Sequence, residues 1–176
     1  MQRRSLLGLG LAGGLVLAAA GGGAAWMLRT PAWRRGQLSP DARELLSAVA
    51  GSVLDGSLPA HGDPQREPAL KAHLERFARA LGTLSPATQA EVDQLLSVLN
   101  TAPGRRLLAG LASPWPQASQ AEVDTALQAM RVSDSMIRRQ AYHALRDLTQ
   151  AAYFSDPATW AALGYPGPHP LTGGAA

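Results

Sequence analysis

The stretch SDSMIRRQAYHALRDLTQAA, residues 133–152, decides the fold. Its apolar side chains recur every three or four residues, as on one face of an α-helix, without the alternation that is typical of a strand. These apolar positions are Ile137, Ala141, Leu145, Leu148 and Ala152. Ser133 followed by Asp134 predicts a capped helix start. We therefore expect a long amphipathic helix here, with one face in a core.

The same spacing recurs in shorter stretches on the N-terminal side. Ser-Pro pairs at residues 39–40 and 85–86 place a capping serine before a proline, which suits the first helical position. Ser119 and Glu122 have the spacing of a capping box. Helices are predicted over residues 39–56, 67–82, 85–99, 119–130 and 156–164, with a short helical piece over 105–111. No strand pattern is visible, so the predicted fold class is all-α.

The predicted organisation has four parts. Residues 1–28 form a leader or anchor, residues 29–38 a linker, residues 39–164 a compact multi-helix domain, and residues 165–176 a Pro/Gly-rich C-terminal tail. A chain of 176 residues has room for one such domain.

Composition limits the possible functions. Cysteine is absent, which excludes disulfides, thiolate metal sites and a cysteine nucleophile. The net charge of +3 falls to about +1 once Arg3 and Arg4 are set aside. No basic tract with interleaved aromatic residues occurs, so we expect no nucleic-acid binding.

The N-terminus has the pattern of an export signal. Arg3 and Arg4 precede 23 uncharged residues that begin with Leu6 and Leu7 and include seven glycines. Paired arginines before a weakly apolar segment are typical of leaders for the twin-arginine translocase, which carries folded proteins. We expect the chain to work in the periplasm or on the periplasmic face of the inner membrane. The segment is also long enough to span a bilayer, so cleavage and retention as an anchor both remain open.

No pattern of chemically reactive residues stands out in the body of the chain. The four histidines are far apart, and no second ligand lies one helical turn away from any of them. Arg105-Arg106 and Arg138-Arg139 are interpreted as solvated pairs, with contacts to an acidic partner as the alternative. Carboxylates are assigned to helix starts, where free amide groups stabilise them, at Asp41, Glu91, Asp93, Glu122 and Asp134. Catalytic, cofactor-binding and metal-binding residues are therefore all predicted to be absent.

The C-terminal segment is unusually aromatic for a chain with 5% aromatic residues. Two interpretations stay open. In the first, Phe154 and Trp160 close the core and the tail lies over the surface. In the second, the tail extends away from the domain and docks on another protein. The candidate partner-binding residues are Tyr153, Phe154, Trp160, Tyr165, Pro166 and Pro168.

These features together resemble a known family. The carrying residues are Arg3-Arg4, the Leu58-Pro59 loop before the helix with Leu74 and Phe77, and the ending Tyr153-Phe154-Ser155-Asp156-Pro157, Trp160 and Gly164-Tyr165-Pro166-Gly167-Pro168. The chain resembles the gluconate 2-dehydrogenase subunit 3 type, the small subunits of membrane-associated, FAD-dependent sugar and alcohol dehydrogenases. Only the ending is specific to that family.

The resemblance implies a subunit that is not itself catalytic. It implies a large flavoprotein partner of the glucose-methanol-choline oxidoreductase type, which has no leader of its own and holds the FAD. A cytochrome c subunit can complete such a complex. This chain has no cysteine for a bridge to the large subunit, so association would be noncovalent. The alternative is a stand-alone helical binding protein anchored in the envelope. A small hydrolase is not supported, because the sequence contains no pattern of catalytic residues for one.

Overall fold

A computed structural model describes residues 30–160 and 164–167. The first long helix, α1, spans Pro40–Val53 and begins as its sequence predicts. The Ser39 hydroxyl accepts a hydrogen bond from the Ala42 amide at 3.1 Å. This bond satisfies one of the free amide groups of the first turn, and Pro40 has none to satisfy. Gly56 adopts a φ of +76°, a left-handed conformation that favours glycine in the following turn.

The other elements follow in chain order. A short hairpin of β1 (Trp33–Arg34) and β2 (Gln37–Leu38) precedes α1. After α1 come α2 (Arg66–Gly82), α3 (Pro86–Asn100), α4 (Ala102–Gly104), a π-helix (Arg105–Ala109), a 3₁₀-helix (Trp115–Gln117), α5 (Gln120–Arg131), α6 (Met136–Phe154) and a second 3₁₀-helix (Pro157–Thr159). The all-α class is confirmed for the described residues.

Besides Ser39, two further predicted caps are confirmed, and one is wrong. Ser85 accepts from the Thr88 amide, and Ser119 and Glu122 form the reciprocal capping box. The longest helix, however, has Ser135 rather than Ser133 at its N-cap, without a side-chain hydrogen bond. The Ser133 hydroxyl instead accepts from the Ser135 amide at 3.2 Å. This local turn competes with helix formation, so the helix starts two residues later.

The core surrounds α1, which packs against α2, α3, α5 and α6. Apolar faces predicted from helical spacing are buried in all of these helices. The largest fully buried side chains include Leu45, Leu46, Leu81, Leu96, Leu99, Met130 and Leu145. Trp115 closes one end of the core, 2% exposed, and its indole N–H donates to the Leu99 carbonyl at 2.9 Å.

The predicted linker is part of the domain over its described residues. Ala32 is fully buried, and its amide donates to Ser97 Oγ at 3.0 Å. The Trp33 amide donates to Asp93 Oδ1 at 2.7 Å. Asp93 lies in the middle of α3 and Glu91 also lies beyond its first turn, so the assignment of both carboxylates to a helix start was wrong. The Asp93 carboxylate fixes the hairpin to α3, a long-range contact for which a single sequence contains no signal.

The C-terminal end of the described chain is short and irregular. Asp156 accepts a hydrogen bond from the Ala158 amide at 2.9 Å and starts a 3₁₀-helix. A short α-helix over residues 156–164 was predicted there. Residues 161–163 of that predicted helix lie outside the described residues. Within the described ranges, none of the helices combines the length and the apolar character that crossing a bilayer requires.

Candidate partner-binding surfaces

Tyr153 belongs to the interior of the domain. Its side chain is 7% exposed, and its hydroxyl donates to the Ser57 carbonyl at 2.6 Å. Burial is the main cause that raises the pKa of this phenol. This corrects the expectation that Tyr153 contacts a partner, because its ring and hydroxyl are both used between α6 and the loop after α1.

The rest of the aromatic ending folds back on itself. The Trp160 indole N–H donates to the Phe154 carbonyl at 2.8 Å, and both side chains are half-buried. The Tyr165 ring lies 5.4 Å from the Trp160 ring, centroid to centroid. Gly167, at φ +97°, lies against the same indole. One of the two interpretations expected the tail to extend away from the domain. The described part, up to residue 167, instead folds back on Trp160.

A partner could still reach part of this ending. Tyr165 is 49% exposed, and Pro166 is exposed. Pro168, the last of the candidate residues, lies outside the described residues. Arg3, Arg4, Leu6 and Leu7, the residues of the predicted export signal, also lie outside the described residues.

The packing between α2 and α6 contains a histidine that the sequence did not single out. His73 is completely buried, with its ring 6.4 Å from Phe77 and 6.0 Å from Tyr153 between centroids. Neither ring nitrogen has a hydrogen-bond partner among the described residues. Burial, and to a lesser degree the nearby Arg76, lower the pKa of His73 to about 4. We call His73, Phe77 and Tyr153 the histidine seam.

One signal could have located the histidine seam. His73 lies four residues before Phe77 and next to Leu74, so it falls on the predicted apolar face of its helix. On this face a neutral imidazole can pack as a flat ring against the rings of Phe77 and Tyr153. The other helical histidine, His143, is exposed, as its position off the apolar face predicts.

A groove beside the seam carries charge. Arg76 forms an ion pair with Asp156 at 2.9 Å, and its guanidinium carbon lies 5.7 Å from the centroid of the Tyr153 ring. The ion pair ties α2 to the turn after α6. Arg79, Thr83 and Ser155 also line this groove. Arg76 is therefore already paired with a carboxylate within the chain.

A second groove lies where α1, α5 and α6 meet. It is mainly polar, and its lining includes Asp55, Asp124, Gln128, Tyr142, Arg146 and Gln150. Arg146 pairs with Asp147 at 2.7 Å and lies 5.8 Å from the Tyr142 ring centroid. Such a mixture of carboxylates, amides and an aromatic ring can hydrogen-bond a hydroxyl-rich ligand.

The two arginine pairs are not the solvated pairs that the sequence predicted. Arg105, 6% exposed, donates from Nη2 to the Ala112 carbonyl at 3.3 Å. Arg138 donates from Nε to the Leu108 carbonyl at 2.8 Å, and Arg139 donates to the Ser133 carbonyl. These three bonds satisfy carbonyl groups in and near the irregular π-helix. Only Arg106 is exposed as expected.

Apolar side chains point outward in the same part of the molecule. Four large apolar residues of the described chain are strongly exposed, and three of them are Leu107 (73%), Val132 (63%) and Met136 (64%). They lie on the π-helix, at the end of α5 and at the start of α6, elements that contact one another. We call this region, residues 105–110 and 131–139, the arginine corner.

The comparisons with known proteins add no relative. Family models, curated proteins and solved structures all gave no match to this chain. Residues 30–160 and 164–167 contain no group of three or more histidine, aspartate or glutamate side chains placed to hold a metal ion. The described residues offer exposed surfaces for binding and two grooves, of which the groove where α1, α5 and α6 meet is mainly polar.

Proposed function

We propose that this chain is a non-catalytic small subunit that escorts a flavin-dependent sugar or alcohol dehydrogenase through twin-arginine export and stabilises the assembled complex. The paired arginines of the leader, joined to a helical body, carry this proposal. The resemblance of the C-terminal ending to dehydrogenase small subunits supports it. The proposed partner is a leaderless flavoprotein of the glucose-methanol-choline type, with a cytochrome c subunit as a further component.

The physical requirements of such an escort agree with the structure. Twin-arginine transport carries folded cargo, so the partner must bind before crossing and needs a surface that is already formed. The arginine corner and the Trp160–Tyr165 ending are held in place by hydrogen bonds and ring packing within the chain. A preorganised surface loses less entropy on binding than a flexible one. Cofactor chemistry would belong to the flavoprotein.

Export of the flavoprotein tests the escort role. The chain is co-expressed with a flavoprotein dehydrogenase that lacks a leader, and flavin-dependent dye reduction is measured in the periplasmic fraction. Arg3→Lys combined with Arg4→Lys should leave the flavoprotein in the cytoplasm. The matched control is Arg34→Lys with Arg35→Lys, an exposed pair on the body of the chain, which should export normally. Equal periplasmic activity with both double variants would overturn the proposal.

Purified chain tests the claim that it is not catalytic. Freed of flavoprotein, it should retain no bound flavin and oxidise no sugar or alcohol in the presence of an electron acceptor. Adding the flavoprotein should restore activity. Turnover by the chain alone would contradict the assignment to an escort subunit.

The second groove favours one other candidate, a stand-alone envelope protein that binds a small polar ligand. Asp55, Asp124 and Gln128 provide acceptors and donors on one wall of it. In that case the chain should purify as a monomer without flavoprotein, and Asp124→Ala should abolish ligand binding. Co-purification of a flavoprotein in fixed stoichiometry favours the escort instead.

A further inference from the structure

The arginine corner exposes what a domain normally buries. Among the described residues, three of the four strongly exposed large apolar side chains belong to it. Scattered apolar residues need no explanation, but clustered ones mark interaction sites. Leu107 lies on the π-helix, Val132 directly after α5 and Met136 at the start of α6, and these three elements contact one another.

A hydrogen bond holds these parts together. Arg138 on α6 donates to the Leu108 carbonyl at 2.8 Å and so joins the first turn of α6, where Met136 lies, to the π-helix that carries Leu107. Val132 lies in the turn between α5 and α6, and Arg139 donates to the carbonyl of Ser133 in that turn. The backbone segments that carry the three apolar side chains are therefore connected within the chain itself. π-helical segments within helical domains are frequently found at functional sites.

The charge around the apolar residues has one dominant sign. Arg106, Arg131, Arg138 and Arg139 accompany them, with Asp134 as the one carboxylate of the corner. Arg106 and Arg131 are exposed, and neither forms an ion pair among the described residues. A partner that covers this region must therefore supply carboxylates around an apolar centre.

We propose that the arginine corner is the surface on which the flavoprotein partner docks, through an apolar contact patch rimmed by aspartate and glutamate side chains. This rests on the proposed function, because it names the interface of the proposed complex. Met and Arg are enriched in protein–protein interfaces, whereas Lys is depleted. The corner contains Met136 and five arginines but no lysine.

A membrane surface is the less suitable occupant. Helices that bind at the lipid interface carry a broad apolar face, usually with tryptophan or phenylalanine, that enters the acyl boundary. The corner has three aliphatic side chains on three separate segments and no aromatic residue. Three of its five guanidinium groups are bound to backbone carbonyls. Fixed guanidinium groups suit the fixed carboxylates of a folded protein better than mobile headgroups.

The test uses full-length variants and the purified flavoprotein, with the dissociation constant measured by titration in about 0.15 M salt. Leu107→Asp with Met136→Asp should weaken binding by about tenfold or more, since truncating central interface residues has effects of that size. Arg106→Glu with Arg131→Glu should weaken it by about tenfold and reduce its dependence on salt. The matched control is Lys71→Glu with Arg79→Glu on exposed positions of α2, which should bind within about twofold of wild type.

All six substituted side chains are exposed, so we expect the variants to fold like the wild-type chain. Circular dichroism and thermal unfolding check that each variant is folded. If the wild-type chain binds the flavoprotein and the Leu107/Met136 variant binds equally well, the corner is not the interface, although the escort function stands. If the wild-type chain binds no flavoprotein, both proposals fail. Two other outcomes would overturn the assignment. If the wild-type chain binds phosphatidylglycerol vesicles and the Leu107/Met136 variant does not, the corner binds a membrane. If the wild-type chain forms a dimer and the variant does not, the corner binds a second copy of this chain.

Discussion

The histidine seam and the arginine corner use polar and apolar groups in opposite ways. In the seam, the polar imidazole of His73 is buried without a hydrogen-bond partner among aromatic rings. In the corner, Leu107 and Met136 are exposed to solvent, while Arg105 is buried and bonded to a carbonyl. Burying an unpaired polar group and exposing apolar groups both have a cost. The seam bears its cost within the domain, whereas a partner that covered the corner would remove the cost there.

The largest expected effect on stability comes from truncating an apolar side chain to alanine in each of the two regions. Phe77→Ala removes a ring that is 3% exposed, and it should lower the free energy of unfolding by about 3 to 5 kcal/mol. Leu107→Ala is the matched control in the corner and should change that free energy by less than about 0.5 kcal/mol, because the side chain is already in solvent. Urea unfolding followed by circular dichroism measures both. Similar losses for the two variants would show that the corner is part of the stabilising core.

Acid should destabilise the seam and not the corner. The pKa of His73 is about 4 in the folded chain and about 6.5 when unfolded, so between these values the unfolded state binds the extra proton. Stability contributed by the neutral imidazole is therefore complete above pH 6.5 and is lost as the pH falls towards 4, by about 3 kcal/mol in total.

Two variants isolate this titration. His73→Leu should remove most of the difference in unfolding free energy between pH 7 and pH 4.5, since no group at this position then takes up a proton. His143→Gln, at an exposed position, should keep the wild-type pH profile. An unchanged acid sensitivity in the His73→Leu variant would contradict the assignment.

A glycine tests how rigidly the corner is joined to the core. A Cβ atom at Gly104 would lie 2.1 Å from the Val98 carbonyl oxygen and 2.7 Å from Val98 Cγ1. Gly104→Ala should therefore displace the start of the π-helix and destabilise the chain by about 2 kcal/mol. Gly82→Ala is the control, because its nearest neighbour is 3.9 Å away on Trp33. If the two thermal midpoints are equal, the π-helix adjusts without strain on α3.

The smallest effect concerns a single hydroxyl group in the seam. Tyr153→Phe keeps the ring between α2 and α6 but leaves the Ser57 carbonyl without its donor at 2.6 Å. We expect a loss of about 1 kcal/mol. Tyr165→Phe removes a hydroxyl from a half-exposed ring and should have no measurable effect on stability. Equal stability of wild type and Tyr153→Phe in denaturant titrations would argue that this hydrogen bond adds nothing.

The local structure of the long helices follows from their own residues. Ser39-Pro40, Ser85-Pro86 and the Ser119–Glu122 capping box satisfy the first amide groups of their helices from within a few residues. Apolar spacing then predicts the buried faces, because a helix has one period whatever it packs against. The all-α class and most of the core could therefore be predicted.

The candidate surfaces could not be read in the same way. Asp93 binds the Trp33 amide, 60 positions away along the chain, and Arg138 binds the Leu108 carbonyl, 30 positions away. Nothing near either residue in the sequence distinguishes it from a solvated charge. Tyr153 was predicted to face a partner and is buried for the same reason, since its acceptor is the distant Ser57 carbonyl.

Short-range chemistry thus sets where the helices begin and which faces are apolar, because those features depend on neighbours within about one turn. Tertiary packing alone decides which polar side chains are enclosed, which arginines bind carbonyls and which apolar residues are left outside. These outcomes depend on the meeting of segments that are far apart in the chain. Their physical origin is the competition for burial among all helices at once.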